Sequence, residues 1–239
     1  MKVEILGLRV DQVDFEQALA KGEAFLSGQR HTLVTPNPEF VVYAQKDRAF
    51  KEIINQADLA IPDGVGLIWA SRVLGRPLPG RVAGADLAEE LIGRAARAGK
   101  SVFFLGGRGG VSKRASQAMK KSYPGLKIAG SWSGDPSEAG DQEIRRKIGR
   151  GRTDLLLVAY GHPRQEYWIN RNLAGLDVGV AMGVGGAFDF WSGDIPRAPK
   201  LIRRLGLEWV FRLTIQPWRI RRQLQLLKFV WLVLREKFS

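Results

Sequence analysis

Four short stretches of this sequence carry residue types suited to proton transfer or to holding an oxygen-rich ligand. In Ile61-Pro62-Asp63-Gly64-Val65-Gly66, Asp63 follows a proline and stands between glycine-rich elements, with no Lys or Arg beside it in the sequence. A carboxylate so placed suits a general base that takes a proton from an attacking hydroxyl. It reads equally as a turn aspartate bonded to its own backbone. Thr35 and Asn37, in TPNPE, are either binding groups or the N-terminal cap of a helix. GHPRQEYW presents Gly161, His162, Arg164, Gln165 and Glu166. There His162 reads as a hydrogen-bonded turn residue rather than a base, and the uncharged Gln165 as a directional donor to a sugar or phosphate oxygen.

The fourth feature is a pair of glycine turns. Gly106-Gly107-Arg108-Gly109-Gly110 follows a buried strand pattern and precedes a helix pattern. Its backbone N–H groups either hold a phosphate or simply make a tight turn, and the spacing is not GxGxxG. GVGGAFDF supplies a second mouth at Gly185 and Gly186. Two such mouths on one sheet edge make a cleft, in which Asp189 is placed to accept hydrogen bonds from a ribose or a base.

These residues need elements to position them. An apolar run near His31 to Val34 reads as a strand, followed after a proline-rich turn by one helix pattern through Phe40, Val41, Ala44 and Ala49. ADLAIPDGVG reads as a short strand and a turn, and GADLAEELIGRAARAG as a helix. SVFFLGG, LKIAGSW, TDLLLVAYG and VGVAMGVGG then read as strands separated by helices across 111–122, about 138–149 and about 165–172. Strand, glycine, helix alternation predicts an α/β fold: a Rossmann-like, mostly parallel sheet with helices on both faces and ligands at the strands' C-terminal ends. The expected organisation is a catalytic body over 1–196, with an N-terminal half to about 98 and a nucleotide-binding half from about 99. A basic amphipathic helical appendage over 197–239, broken at Pro217, completes it.

Composition narrows the chemistry. The chain has 239 residues, 45% hydrophobic and 26% charged, which excludes a disordered chain. Its longest apolar runs, such as Phe229 to Leu234, fall far short of the roughly 18 residues a spanning helix needs, and the N-terminus has no apolar signal core. There are no cysteines and two histidines, so thiolate and multi-histidine metal sites are excluded, and neither a metal nor another cofactor is expected. Catalysis falls to carboxylates, hydroxyls, amides or a borrowed cation. The net charge of +13 is uneven, for residues 197–239 hold eleven Lys and Arg against two acids. Trp209, Phe211, Trp218, Phe229 and Trp231 alternate with those cations, the composition of a helix lying in an anionic bilayer interface without crossing it.

Together, TPNPE, IPDGVG, RVAGAD, GHPRQEYW, GVGGAFDFWSG, RAP and GLEWVFRL with PWRIRR resemble the WecG/TagA/CpsF glycosyltransferase family, in the family's order and from about Thr35 to Arg222. The resemblance implies a metal-independent, inverting transfer of a sugar from a UDP-sugar to a polyprenyl-diphosphate-linked sugar. Such transfer takes place at the inner face of the cytoplasmic membrane, during surface-polymer assembly. It implies Asp63 as catalytic aspartate, Thr35 and Asn37 as pocket groups, and Arg81 and Gln165 as active-site residues. Gly106, Gly107, Gly161, Gly185, Gly186 and Asp189 fall in the expected donor site. Arg212, Arg219 and Arg222 would fold over that site and contact the donor diphosphate. N-acetylmannosamine and the teichoic-acid linkage unit are the first choices of sugar and pathway. The tail departs from many members in reading RIRRQ, without a tyrosine after the arginine pair.

Two other classes compete. A nucleotide-cofactor oxidoreductase shares the strand and glycine pattern, yet the dinucleotide fingerprint and its later acidic residue are missing. A nucleic-acid-binding module would use the basic tail, whose exposed face would be crowded with Trp, Leu and Val, so no nucleic-acid partner is expected. An apolar tail away from lipid would seek a second copy of the chain.

Overall fold

A computed structural model describes residues 1–149, 151–204, 206–217 and 220–238, without the side chains of residues 200, 204 and 221–223. The chain opens on a hairpin, β1 (Lys2–Ile5) and β2 (Leu8–Asp11), paired antiparallel across Leu6 and Gly7, both at positive φ. Helix α1 (Phe15–Phe25) follows, started by a capping box between Asp14 and Gln17. The main sheet comprises β3 (His31–Val34), β4 (Leu59–Ala60), β5 (Ser101–Gly106), β6 (Lys127–Trp132), β7 (Thr153–Ala159) and β8 (Val178–Gly183). Its order is β4-β3-β8-β7-β5-β6, and every pairing is parallel.

The inner strands β3, β8, β7 and β5 are largely apolar on both faces because both are covered, whereas the edge strand β6 is largely exposed. Leu33, Phe104, Leu155, Leu157, Val180 and Met182 face one core, with α1, α5 (Gly84–Arg97), α6 (Val111–Ser122) and α9 (Ala187–Trp191). Val34 and Ala60, on the opposite face, pack against α2 (Pro38–Ala44), α3 (Arg48–Gln56) and α4 (Val65–Val73). Phe103, Leu105, Leu156 and Val158 meet α7 (Asp141–Ile148) and α8 (Arg164–Asn172). The fold class expected from the sequence is the one observed. The single helix expected after the TPNPE turn is in fact two, because the Asp47 carboxylate accepts the Phe50 N–H and caps a new helix at Arg48.

The last segment forms α10 (Lys200–Arg204), α11 (Glu208–Ile215) and α12 (Ile220–Phe238). It is stitched to the body. Arg197 and Arg203 both donate to the Asp86 carboxylate, at 2.6 and 2.8 Å, and Arg197 also reaches Glu89. Helix α12 packs on α2 and α4 and buries Phe229, Leu232 and Val233 in their core. Its opposite side exposes Ile220, Leu224, Leu227, Trp231, Leu234 and Phe238, spaced alternately by four and three residues. Phe229, expected among the membrane-facing aromatics, is therefore a core residue, only 1% exposed. Truncating it in Phe229→Ala should lower the unfolding free energy by about 3–5 kcal/mol in urea denaturation, whereas an appendage independent of the core would leave it unchanged.

Candidate active site

Parallel strands all end on one edge, so the residues after β4, β3, β8 and β7, four neighbours in the sheet, share that edge. The helix after β3 lies on one face and the helix after β8 on the other, as the core memberships of Phe40 and Phe188 show. A crevice opens where adjacent strands send their helices to opposite faces. Here it is a cavity of about 610 Å³, lined by Thr35, Asn37, Asp63, Arg81, Gly161, His162, Gln165, Gly185, Gly186 and Arg212.

Asp63 is held from several directions. Its backbone N–H donates to the Pro36 carbonyl at 2.9 Å, and the Pro62 carbonyl accepts the Val82 N–H at 2.9 Å. Its Oδ2 accepts the Gly84 N–H at 3.3 Å, at the first residue of the fourteen-residue α5. A Cβ on Gly84 would fall 2.8 Å from Thr35 Cγ2 and 3.2 Å from that same Oδ2, so only glycine lets the helix end come this close. No Lys or Arg nitrogen lies within ion-pair distance of the carboxylate among the described residues. Burial pushes the Asp63 carboxyl up to about 6, against the opposing pull of the Arg81 guanidinium and the Gly84 N–H. Glu208, at the start of α11, and Asp86 add to the upward push.

The remaining expected site residues fare differently. Asn37 lines the cavity and also caps α2, its Oδ1 accepting the N–H groups of Glu39 and Phe40, so both sequence readings hold at once. Arg81 donates to the Arg203 carbonyl at 2.8 Å, which ties the cavity wall to the C-terminal segment. Arg212, from α11, lines the cavity and lies over the Phe190 ring at 4.3 Å. Arg219 lies outside the described residues, and the side chain of Arg222 does too.

Gln165 is a correction. Its Oε1 accepts the N–H groups of Gly161 and Gly185, at 3.1 and 3.0 Å, and its Nε2 donates to Glu166 at 2.7 Å. The amide thus fastens the loop after β7 to the loop after β8, rather than reaching out as a donor to ligand oxygens. Gly106 and Gly107 are a second correction, because neither lines the cavity. Gly106 ends β5 and Gly107 follows it, one strand too far along the sheet, and a Cβ on Gly106 would meet the Ala159 backbone at 2.7 Å, which is the tight-turn reading. Asp189 is likewise absent from the lining, where its neighbour Phe190 stands instead. Sequence reasoning missed Asp86, Arg197 and Arg203, whose ion pairs hold the C-terminal segment in place. Asp86 and Arg197 lie in the RVAGAD and RAP motifs, which did not show that the two pair, and Arg203 lies in neither.

The mouth of the cavity is apolar. Val65, Trp69, Trp209 and Val230 line it and remain substantially exposed, and Val230 belongs to α12, the helix with the exposed apolar stripe. No described helix is long and apolar enough to cross a membrane. Among the described residues, no three His, Asp or Glu side chains gather closely enough to hold a metal ion.

A sequence model of the glycosyl transferase WecG/TagA/CpsF family matches residues 3–239. The chain belongs to this family. A Bacillus spizizenii protein named N-acetylglucosaminyldiphosphoundecaprenol N-acetyl-beta-D-mannosaminyltransferase is 36% identical over 205 residues, covering 86% of this chain and 79% of that protein. The Bacillus subtilis protein of the same name is also 36% identical, covering 85% and 78%. A Staphylococcus aureus protein, again of that name, is 33% identical over 239 residues, covering 99% of this chain and 93% of its own. The WecG/TagA/CpsF membership makes this chain a glycosyltransferase, and the oxidoreductase and nucleic-acid readings fall away.

The raised Asp63 carboxyl has a consequence for stability. The folded state holds its proton up to about pH 6, whereas an unburied aspartate lets go near 3.8. The penalty of burying the charge is therefore complete above about pH 6 and fades as the pH falls toward 3.8. Asp63→Asn should raise the unfolding free energy at about pH 7 by roughly 1–3 kcal/mol, with the gap closing near about pH 4. Urea denaturation at the two pH values checks this, and an equal gap at both would overturn it.

Proposed function

We propose that the cavity transfers N-acetylmannosamine from a UDP-sugar to GlcNAc carried on a polyprenyl diphosphate, as the names of the Bacillus and Staphylococcus relatives say of those proteins for the sugar and the acceptor. The observation that carries this reading is an unpaired, half-buried carboxylate at the floor of a cavity whose rim is apolar. A base with a value near 6 is ionised at neutral pH yet basic enough to take a proton in a transition state. Asp63 removes the proton from the acceptor hydroxyl, the freed oxygen attacks the anomeric carbon, and the diphosphate leaves with the bonding pair. One carboxylate suffices for such a displacement, which inverts the anomeric centre.

Negative charge grows on the leaving diphosphate and needs nearby donors. Arg212 and the Gly186 N–H supply them in this reading, with Arg219 and Arg222 as further cations from the tail. Thr35, Asn37 and Arg81 bind and orient the sugars. In this reading the chemistry runs without a metal ion. The 1–196 body carries catalysis in two halves, and the 197–239 segment both docks and closes the site. The pathway is the teichoic-acid linkage unit.

The acceptor's lipid sets where the enzyme works. The exposed face of α12, from Ile220 to Phe238, continues the apolar rim formed by Trp209 and Val230. Its flanking cations draw it to anionic lipid at the inner face of the cytoplasmic membrane. Away from lipid, the same face pairs with a second copy of the chain.

Asp63→Asn should leave UDP binding intact and lower turnover at least about 100-fold, while the parent's turnover should climb with pH and level off above the Asp63 value of about 6. Product masses from a panel of UDP-sugars with a short-chain prenyl-diphosphate GlcNAc measure both, and a near-normal rate in the variant removes Asp63 as base. Leu227→Glu combined with Trp231→Glu should abolish sedimentation with anionic vesicles while sparing the fold, since both side chains are exposed. Undiminished sedimentation would remove α12 as the docking element.

A further inference from the structure

Two buried polar atoms beside the cavity face each other without a hydrogen bond. Glu166 is 2% exposed, and its Oε2 has no hydrogen-bond partner among the described residues. The same holds for Nδ1 of His162, and the two atoms lie 3.6 Å apart. Leaving either atom unsatisfied in the interior is costly, and small closure of that gap satisfies both. The other carboxyl oxygen of Glu166 already accepts from Gln165 Nε2, and Gln165 Oε1 takes the two glycine N–H groups, so the carboxyl cannot turn away without breaking that chain. The imidazole is equally confined. It stacks on Phe40 at 4.3 Å and meets Tyr43 and Phe50 edge to face at 5.0 and 4.8 Å. His162 lines the cavity, and Nδ1 is the ring nitrogen turned inward.

We propose that Glu166 is a positioning residue that keeps the proton of His162 on Nδ1, so that Nε2 faces the cavity as a hydrogen-bond acceptor for a sugar hydroxyl. A carboxylate can only accept, so the imidazole nitrogen facing it must donate. In the tautomer with its proton on Nδ1, the ring keeps the lone pair of its other nitrogen for the cavity. Beyond the carboxylate of Asp63, the cavity thereby gains a neutral acceptor on the wall formed by the loop after β7. Such a group distinguishes a ligand that offers a hydroxyl from one that offers a phosphate oxygen, because two acceptors repel. The substrate part of this inference rests on the sugar-transfer reading above, whereas the state of the imidazole does not.

The test starts on the full-length protein without substrate. Because the chain has only two histidines, labelling them with a nitrogen isotope and comparing with His31→Gln assigns the His162 ring in nuclear magnetic resonance spectra. The expected spectrum is a neutral ring with Nδ1 protonated and Nε2 bare. Glu166→Gln keeps an oxygen for Gln165 and turns an amide donor toward Nδ1, so it should move the proton to Nε2. A parent ring protonated on Nε2, or a spectrum unchanged in Glu166→Gln, overturns the proposal. In the transfer assay, Glu166→Gln and His162→Phe, which keeps the ring stack, should each raise the KM of one sugar substrate about tenfold with kcat little changed. The double variant should lose no more than either alone, and multiplying losses would overturn the coupling. Should Glu166→Gln fail to fold, the parent spectrum and His162→Phe still decide. A parent with the expected spectrum but no sugar transfer would sink the sugar-transfer reading and leave the imidazole assignment standing.

Discussion

A half-buried carboxylate with no cation in contact among the described residues is the constraint around which this site is built. Among the described residues, the Asp63 side chain accepts one hydrogen bond, from the N-terminus of α5, and the Arg81 guanidinium acts on it at longer range. Full neutralisation by a salt bridge would drive its proton off and leave a weak base. Burial without any donor would leave it protonated at neutral pH. The structure takes the middle course. The Arg81 guanidinium, and after it the N–H of Gly84, hold the value at about 6 against the upward push of burial. Gly84, the crowded Thr35 methyl and the backbone bonds of Pro36 and Pro62 all serve that single close approach.

The sheet order explains why the cavity is where it is, and this order was not legible in the sequence. All six parallel strands could be read from short runs ending at a turn, the inner ones most plainly because strands buried on both faces need no polar alternation. What those runs do not encode is which strand lies beside which. With Gly106-Gly107 and Gly183 to Gly186 both reading as glycine mouths, only the placement of β7 between β5 and β8 separates the one that serves packing from the one that opens on the cavity. The N-terminal hairpin was equally hidden. Its turn is Leu6-Gly7 rather than an Asn-Gly or Asp-Gly pair, and its strands are only four residues long.

Side-chain roles were legible where residue chemistry leaves little choice and hidden where geometry decides. A lone aspartate after a proline, between glycines, marked the carboxylate at the cavity floor. A glutamine offers a donor and an acceptor at once, and nothing local tells which will be used. In the fold the acceptor of Gln165 is taken by two N–H groups from different loops. Likewise, the periodicity of the last helix marks it as amphipathic without saying that it has two apolar sides. Phe229, Leu232 and Val233 share the helix with Leu227, Trp231 and Leu234, and only the packing on α2 and α4 sorts the core set from the exposed one.

That double-sided helix connects the two ends of the mechanism. One side of α12 completes the core that carries α2, whose cap residue Asn37 lines the cavity, and α4, which follows directly on Asp63. The other side is the apolar surface proposed to meet lipid. A force applied to the exposed stripe is therefore delivered through Phe229 and Val233 to the two helices whose N-termini frame the cavity. On the facing wall, Arg197 and Arg203 grip Asp86 at the start of α5, and Arg81 holds the Arg203 carbonyl. The exposed stripe and the geometry around Asp63 are thus linked through packed side chains and short ion pairs rather than through a loose tether. An enzyme whose acceptor is presented only at a membrane gains from that arrangement, because its cavity is best closed against water where the acceptor is found.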